Sequence, residues 1–405
     1  MHTTFATYMN TRALFLKYNA QTSPTPLPIE IVRASGNYLY CSNGKQYIDL
    51  IGGISVCNIG HCHPAVVQAI QYQATQYLHV MVYGEVALSP QVQYAQWLVQ
   101  HLPSTLNSVY FTNSGTEATE GAMKLAKRVT GKANFVSCTH SYHGHTQGAL
   151  SIMGSEVWKQ AYRPLLPGCK QVAYNDYAIL DAIDDTTAAV IVEPIQAESG
   201  VVQAHVAWLQ AIRAKCNHTC TLLIYDEIQS GFGRTGALFA LDTYQVIPDI
   251  LLLGKALGGG MPMGAFIADA KLMHSLSHSP ILGHLSTFGG HPVCCAAGLA
   301  AAQVLVANNG DIISGVAAKE QLFIQHLQHH KITAIRSAGL WMAVELSSFE
   351  VVQQVISYCL QHGVFTDWFL YASNCIRIAP PLTITEHDII QACSIMKAGL
   401  NAVDL

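Results

Sequence analysis

The chain has 405 residues, half of them hydrophobic and only 11% charged, which is length enough for a large core and more than one unit. A net charge of −4 leaves no basic excess for a phosphate backbone, so nucleic acid is excluded as a partner. No apolar stretch is long and unbroken enough to predict a membrane span, and residues 1–21 lack the apolar core and cleavage site of a secretory signal.

Twelve cysteines are scattered through the chain, and without an export signal they read as reduced, mostly buried thiols. Cys216 and Cys220 flank His218, a spacing that also suits a metal but is a weak signal. The low charge implies that much of the surface is covered by core or by a partner subunit. A soluble, cytoplasmic, oligomeric protein is the expectation.

In chain order, Pro24, Pro26 and Pro28 precede a β-like run in which Asn43-Gly44 separates two strand-like halves; this predicts a hairpin. From about residue 60, short apolar runs alternate with helical patterns, which predicts a mainly parallel sheet covered by helices. The expected strands are SVYFTN (108–113), NFVSC (134–138), QVAY (171–174), AAVIVEP (188–194), TLLIYDE (221–227) and DILLLGK (249–255). A helix rich in alanine and leucine follows Pro292. WMAVEL (341–346) and CIRIAP (375–380) read as strands of a second, smaller domain.

Ligands of open parallel sheets bind beyond the carboxyl ends of the strands, and here that is where unusual polar residues collect. Ser114-Gly115-Thr116-Glu117, His140 to Gly144, Glu193, Asp226 and Lys255 each follow an apolar run, so one shared pocket is predicted. A turn through Ser114, Gly115 and Thr116 into a helical pattern offers free amides to an anion such as phosphate, or is an ordinary N-cap. Lys255 after an apolar strand is expected to be desolvated and available as a neutral amine for imine chemistry, or else to snorkel to the surface. Asp226 after TLLIY needs a cationic partner: a protonated pyridine nitrogen, or a nearby arginine or lysine. Gln229 is close enough to line the same cavity.

Together these residues resemble the class III aminotransferases of the ornithine, acetylornithine and 4-aminobutyrate type, in pyridoxal-phosphate (PLP) fold type I. The resemblance runs from about residue 30 to 390 and rests on NSGTEATEGAMKLAKR, HSYHGHTQGALS, EPIQAESGV, IYDEIQSGFGRTG, LLLGKALGGGMPMGA, STFGGHPVCCAAGLAA and IRIAPPL, in the family's order. It implies an α/β fold with a seven-stranded, mainly parallel sheet in a large PLP-binding domain (56–290), a smaller α+β domain (291–405) and an N-terminal segment (1–55) packing with the latter.

Residue by residue, the resemblance makes Lys255 the cofactor-bearing lysine and proton carrier, and Asp226 the carboxylate on the pyridine nitrogen. Gln229 matches the partner of the ring hydroxyl and Tyr142 the stacking aromatic. Ser114, Gly115 and Thr116 match the phosphate cup, and His143 and Glu193 join the cofactor contacts. Thr287 corresponds to a threonine donated to the phosphate of the other subunit, which implies a homodimer with shared sites. Arg377 matches the substrate-carboxylate arginine and Glu198 its gate, although the two also read as a fixed buried ion pair. The substrates implied are an amino donor and a 2-oxo acid.

One position departs from the pattern. Many relatives read His-Gly-Arg-Thr where this chain has His143-Gly144-His145-Thr146, and a histidine is neutral or only partly charged near neutral pH. The role of that arginine in holding a second carboxylate is therefore not carried to His145. Rival readings are an aminomutase, racemase or decarboxylating transaminase of the same family, a catalytically silent relative, and a zinc hydrolase built on His61, His63, His140, His143 and His145.

Overall fold

The computed structural model describes residues 11–27 and 29–403. Pro28 and the outermost ends of the two terminal segments, residues 1–10 and 404–405, lie outside the described residues.

Near the N-terminus, β1 (Ile31–Ser35), β2 (Tyr38–Cys41) and β3 (Gln46–Asp49) form an antiparallel meander. The expected hairpin joins β2 to β3, with Gly44 at φ +83° in its turn, a backbone state glycine adopts without a Cβ clash.

The large sheet is built from β4 (Ser108–Thr112), β5 (Asn134–Cys138), β6 (Cys169–Val172), β7 (Thr187–Val192), then, past a two-residue hairpin of β8 (Ile195–Gln196) and β9 (Val202–Gln203), β10 (Leu222–Asp226), β11 (Ile250–Leu253) and β12 (Gly264–Ala268). Its order is β4-β12-β11-β10-β7-β5-β6. Only β12 runs antiparallel to its neighbours. Every residue of β7, β11 and β12 is buried, as continuous apolar runs covered on both faces require. Each such leucine, isoleucine or valine contributes about 1.5–3 kcal/mol of burial. The six expected strands are all present, but the run placed at 171–174 forms its strand at Cys169–Val172. β12 was not among them: Gly264-Ala265-Phe266-Ile267-Ala268 has no polar alternation and is too short to distinguish from a buried turn of helix.

The remaining strands are β13 (Ala334–Ser337), β14 (Met342–Glu345), β15 (Val364–Phe365), β16 (Asp367–Trp368) and β17 (Cys375–Ile378). β13-β14-β17-β16 form an antiparallel sheet. β15 instead pairs in parallel with β3, so the N-terminal sheet is completed by a strand from the far end of the chain. Arg234, fully buried, donates Nη1 to the carbonyls of Leu340 (2.7 Å) and Pro380 (2.6 Å). This ties the segment after β10 to the smaller antiparallel sheet.

Two contacts fix the turn that carries Lys255. The buried Tyr94 hydroxyl donates to the Leu257 carbonyl at 2.7 Å. Helix Pro292–Val306 lies so close that a Cβ on Gly298 would stand 2.3 Å from the same carbonyl. No single helix among the described residues is long and apolar enough to cross a membrane.

Candidate active site

The carboxyl ends of the parallel strands converge as the strand-end rule requires. β10 delivers Asp226, which is buried. Its Oδ1 accepts from the Ile228 amide at 3.0 Å, and its Oδ2 lies 2.7 Å from Nδ1 of His143, in the loop after β5. Burial pulls the imidazole of His143 down, but its hydrogen bond to Asp226 and the charges of Asp226 and Glu193 outweigh this and leave it raised. The side-chain partner of Asp226 within the protein is therefore a histidine, where the sequence suggested an arginine or lysine. His143 Nε2 is buried with no partner.

Lys255 directly follows β11 and Gly254, in the left-handed region at φ +47°. A lysine held there is strained, and such strain persists only where the surroundings enforce it. Its Nζ donates to Gln229 Oε1 at 2.7 Å. Burial holds the amine below its ordinary value, although the carboxylates of Glu198, Asp226 and Glu193 oppose that shift. Gln229 is steadied by a 3.4 Å contact from Nε2 to Ser55 Oγ.

Helix Gly115–Thr130 starts beside these groups. Ser114 is its N-cap, accepting from the Glu117 amide at 3.3 Å, so its hydroxyl serves the helix. The amides of Gly115 and Thr116, first in the helix, have no acceptor among the described residues, as expected at a helix start. Thr116 Oγ1 is 2.7 Å from Thr146 Oγ1. Glu193 Oε1 accepts from the Tyr142 amide at 3.1 Å and Oε2 from Ala197 at 3.0 Å. Burial pushes its carboxyl up to about 7, so Glu193 holds the Tyr142 loop by its backbone.

These residues enclose a cavity of about 300 Å³. Eight of the twelve expected site residues line it: Gly115, Thr116, Tyr142, His143, Glu193, Asp226, Gln229 and Lys255. A wider cleft of about 1460 Å³ adjoins it through Tyr142, His145 and Lys255 and reaches Glu198 and Arg377. Ser114 and Thr287 line neither space; Thr287 is exposed.

In the cleft, Arg377 on β17 makes two parallel bonds to Glu198, Nη1 to Oε1 at 3.0 Å and Nη2 to Oε2 at 2.9 Å. Nη2 also donates to the Trp368 carbonyl at 2.9 Å, and the Phe369 ring lies 4.5 Å from the guanidinium. Asp367, directly opposite Arg377 in the β16–β17 ladder, brings Oδ1 to 3.1 Å from Arg377 Nε. That approach suffices for charge attraction but lacks hydrogen-bond alignment, since both atoms have no hydrogen-bond partner. The sequence reading missed Asp367, Trp341, which lines the smaller cavity, and the His143–Asp226 contact. Only the last had a signal, the demand of a buried aspartate for a cation.

The histidines of the zinc reading do not assemble. His61 is paired with Asp49 and His143 with Asp226, and no group of three His, Cys, Asp or Glu among the described residues could hold a metal ion.

Residues 18–400 match the family model described as aminotransferase class-III. The chain is a class III aminotransferase. It is 38% identical over 397 residues to an acetylornithine aminotransferase of Methanopyrus kandleri, covering 97% of this chain and all of that one. It is also 38% identical over 374 residues to a putrescine aminotransferase of Pectobacterium atrosepticum, covering 87% and 78% of the two chains. Among solved structures it resembles the ornithine aminotransferase of Toxoplasma gondii, described with PLP at its active site, at a TM-score of 0.88 and 30% identity over 97% and 93% of the two chains. The fold is thus the type I fold, and this class III aminotransferase uses pyridoxal phosphate to move an amino group to a 2-oxo acid.

Proposed function

We propose that this transaminase works through Lys255, Asp226 and His143 at one end of the site and Arg377 with Glu198 at the other. The observation that carries the assignment is a desolvated lysine amine sharing a 300 Å³ cavity with a buried Asp–His pair and the open amides of a helix. That donor set fits a flat, phosphorylated pyridine: a carboxylate for the ring nitrogen, amides for the phosphate and an amine for the aldehyde carbon. Bound there, pyridoxal phosphate supplies the electron sink that makes the donor's C–H bond acidic.

The chain's own groups do the rest. Lys255 Nζ takes the proton from the donor's amine-bearing carbon and returns it on the cofactor side; its lowered proton affinity keeps a neutral amine available for this. Asp226 keeps a lone pair on each oxygen for the ring nitrogen, while His143 holds the carboxylate aligned. Gln229 orients Lys255 and serves the ring hydroxyl. Tyr142 covers one face, with Glu193 fixing its loop. Gly115 and Thr116 receive the phosphate, and Ser114 keeps their helix end in place.

Arg377 receives the carboxylate of the 2-oxo acid after Glu198 turns away, and Glu198 closes on it again for an amine donor. Thr287 serves the phosphate of a second subunit, so the working unit is a homodimer. Its exposed position supports this, as does the apolar surface around it: Val80, Met81, Leu285 and Phe288 are all exposed, and His79 packs on Phe288 at 5.0 Å. Contiguous exposed apolar surface of this kind favours a partner. A cytoplasmic location is supported by twelve free thiols. A division into residues 1–55, 56–290 and 291–405 is supported by sheet membership, with all strands of the large sheet between Ser108 and Ala268.

The test is a spectral titration of the purified holoenzyme. An amine donor should bleach its visible absorbance and a 2-oxo acid should restore it, and Lys255→Ala should abolish both changes. Carbon dioxide release or racemisation without an acceptor would replace transamination as the main reaction.

A further inference from the structure

We infer that Asp367 makes the donor side of this site selective for amines that carry a second positive charge at their far end. The inference rests on Lys255 being the reactive centre. Asp367 and Lys255 line the same cleft, together with Tyr142, His145, Glu198 and Arg377.

The argument is one of local charge. Glu198 already satisfies Arg377 with two charge-assisted bonds, and it is anchored there by the Leu370 amide at 2.8 Å. Asp367 is a second carboxylate on the same guanidinium, so the group holds one negative charge in excess. Burial pushes the Asp367 carboxyl up to about 6, against the pull of Arg377. Its Oδ1 is buried without a hydrogen-bond donor, which is the condition in which a buried polar atom gains most from a new partner.

Among the described residues, no lysine or arginine on the cleft is free to supply that partner. Lys45 Nζ is bound by the carbonyls of Leu360 and Gln361, both at 2.7 Å, and Arg12 Nη1 by Leu27 at 2.8 Å. His145 stands where many relatives have an arginine, so a donor with a terminal carboxylate lacks a permanent anchor. An ammonium at the far end of the donor meets Asp367, while its reacting amine meets Lys255. A terminal carboxylate would instead face two carboxylates. A simple diamine presents such an ammonium alone, and so does a diamino acid that reacts at the amine beside its carboxylate.

The experiment follows the first half-reaction of the holoenzyme by loss of its visible absorbance. The donors are 1,4-diaminobutane, 1-aminobutane, ornithine, N-acetylornithine and 4-aminobutyrate. The wild type should favour 1,4-diaminobutane over 1-aminobutane by about 30-fold or more in rate over half-saturation concentration. Asp367→Asn should cut that ratio about tenfold through the half-saturation concentration rather than the limiting rate, and Asp367→Glu should recover part of it. A general loss of structure would move the limiting rate and the melting temperature as well. Ornithine above 1,4-diaminobutane would identify diamino acids as the source of the charge; the reverse would identify diamines. A wild-type ratio near one, N-acetylornithine or 4-aminobutyrate as the best donor, or equal loss on both amines in Asp367→Asn would overturn the inference. Absence of bleaching with every amine would instead count against Lys255 as the reactive centre.

Discussion

The two ends of the active site are built by different rules. At the Lys255 end, the side chains hang from the carboxyl ends of parallel strands, and their partners come from other strands of the same sheet: Lys255 with Gln229 after the adjacent β10, and Asp226 with His143 after β5, one strand beyond β7. At the Arg377 end, the groups come from a four-residue strand, a two-residue strand and the β8–β9 hairpin. There Arg377 and Glu198 meet across 179 residues of sequence. The first end is dictated by sheet topology, so its chemistry is hard to change without changing the fold. The second depends on the register of short strands, and single substitutions there can change the substrate while leaving proton transfer intact.

The largest test of that division is Lys255→Ala. Both half-reactions should fall by at least ~10⁴-fold, with melting temperature close to wild type; turnover above a hundredth of normal would remove Lys255 from the chemistry. Asp226→Asn should slow both half-reactions by about 10³-fold. It also leaves His143 without its carboxylate, so the imidazole should lose its raised proton affinity, readable by NMR. Arg377→Ala should split the two ends, raising the half-saturation concentration for 2-oxoglutarate about 10²-fold with a much smaller effect on a diamine. Equal losses on both substrates would show that the ends are not separable.

A smaller effect concerns stability. His61 Nε2 lies 2.7 Å from Asp49 Oδ2. Burial opposes charge on this histidine, but the hydrogen bonds and charges of Asp49 and Cys57 together outweigh it and push the imidazole up to about 10. Because the folded value lies above the unfolded one, the pair stabilises the protein fully below about pH 6.5, and that contribution is lost as pH rises through about 10. His61→Gln should therefore cost about 2 kcal/mol at pH 6 and almost nothing near pH 11, as chemical denaturation would measure. The smallest expected change is in His145→Arg, which adds a carboxylate anchor to the cleft and should lower the half-saturation concentration for 2-oxoglutarate about tenfold. No change would mean that residue 145 does not reach the acceptor.

Legibility followed the same division. Six strands of the large sheet and the residues at their ends could be read from continuous apolar runs broken by one polar residue. Nothing in those runs announced β12, which carries no functional side chain at its end. Asp367 was out of reach for a different reason. Residues 366–369 read Thr-Asp-Trp-Phe, a segment too short to show periodicity, and its meaning arises only when β16 lies against β17. Arg377 and Glu198 stood out through family resemblance more than through pattern. Ser114 shows that a motif residue can also serve the fold: its hydroxyl caps the helix whose amides face the cavity.

The pairing of β3 with β15 has a consequence for how the protein is made. Lys45 Nζ, beside β3, bonds a carbonyl 315 residues further along the chain. At roughly 5–20 residues per second on the ribosome, that partner emerges about 16–60 s after Lys45 does. Throughout this interval the edge of β3 is an unpaired template open to other nascent strands. The enzyme's N-terminal sheet is therefore the part most exposed to aggregation during synthesis, and the part a chaperone would have most reason to hold.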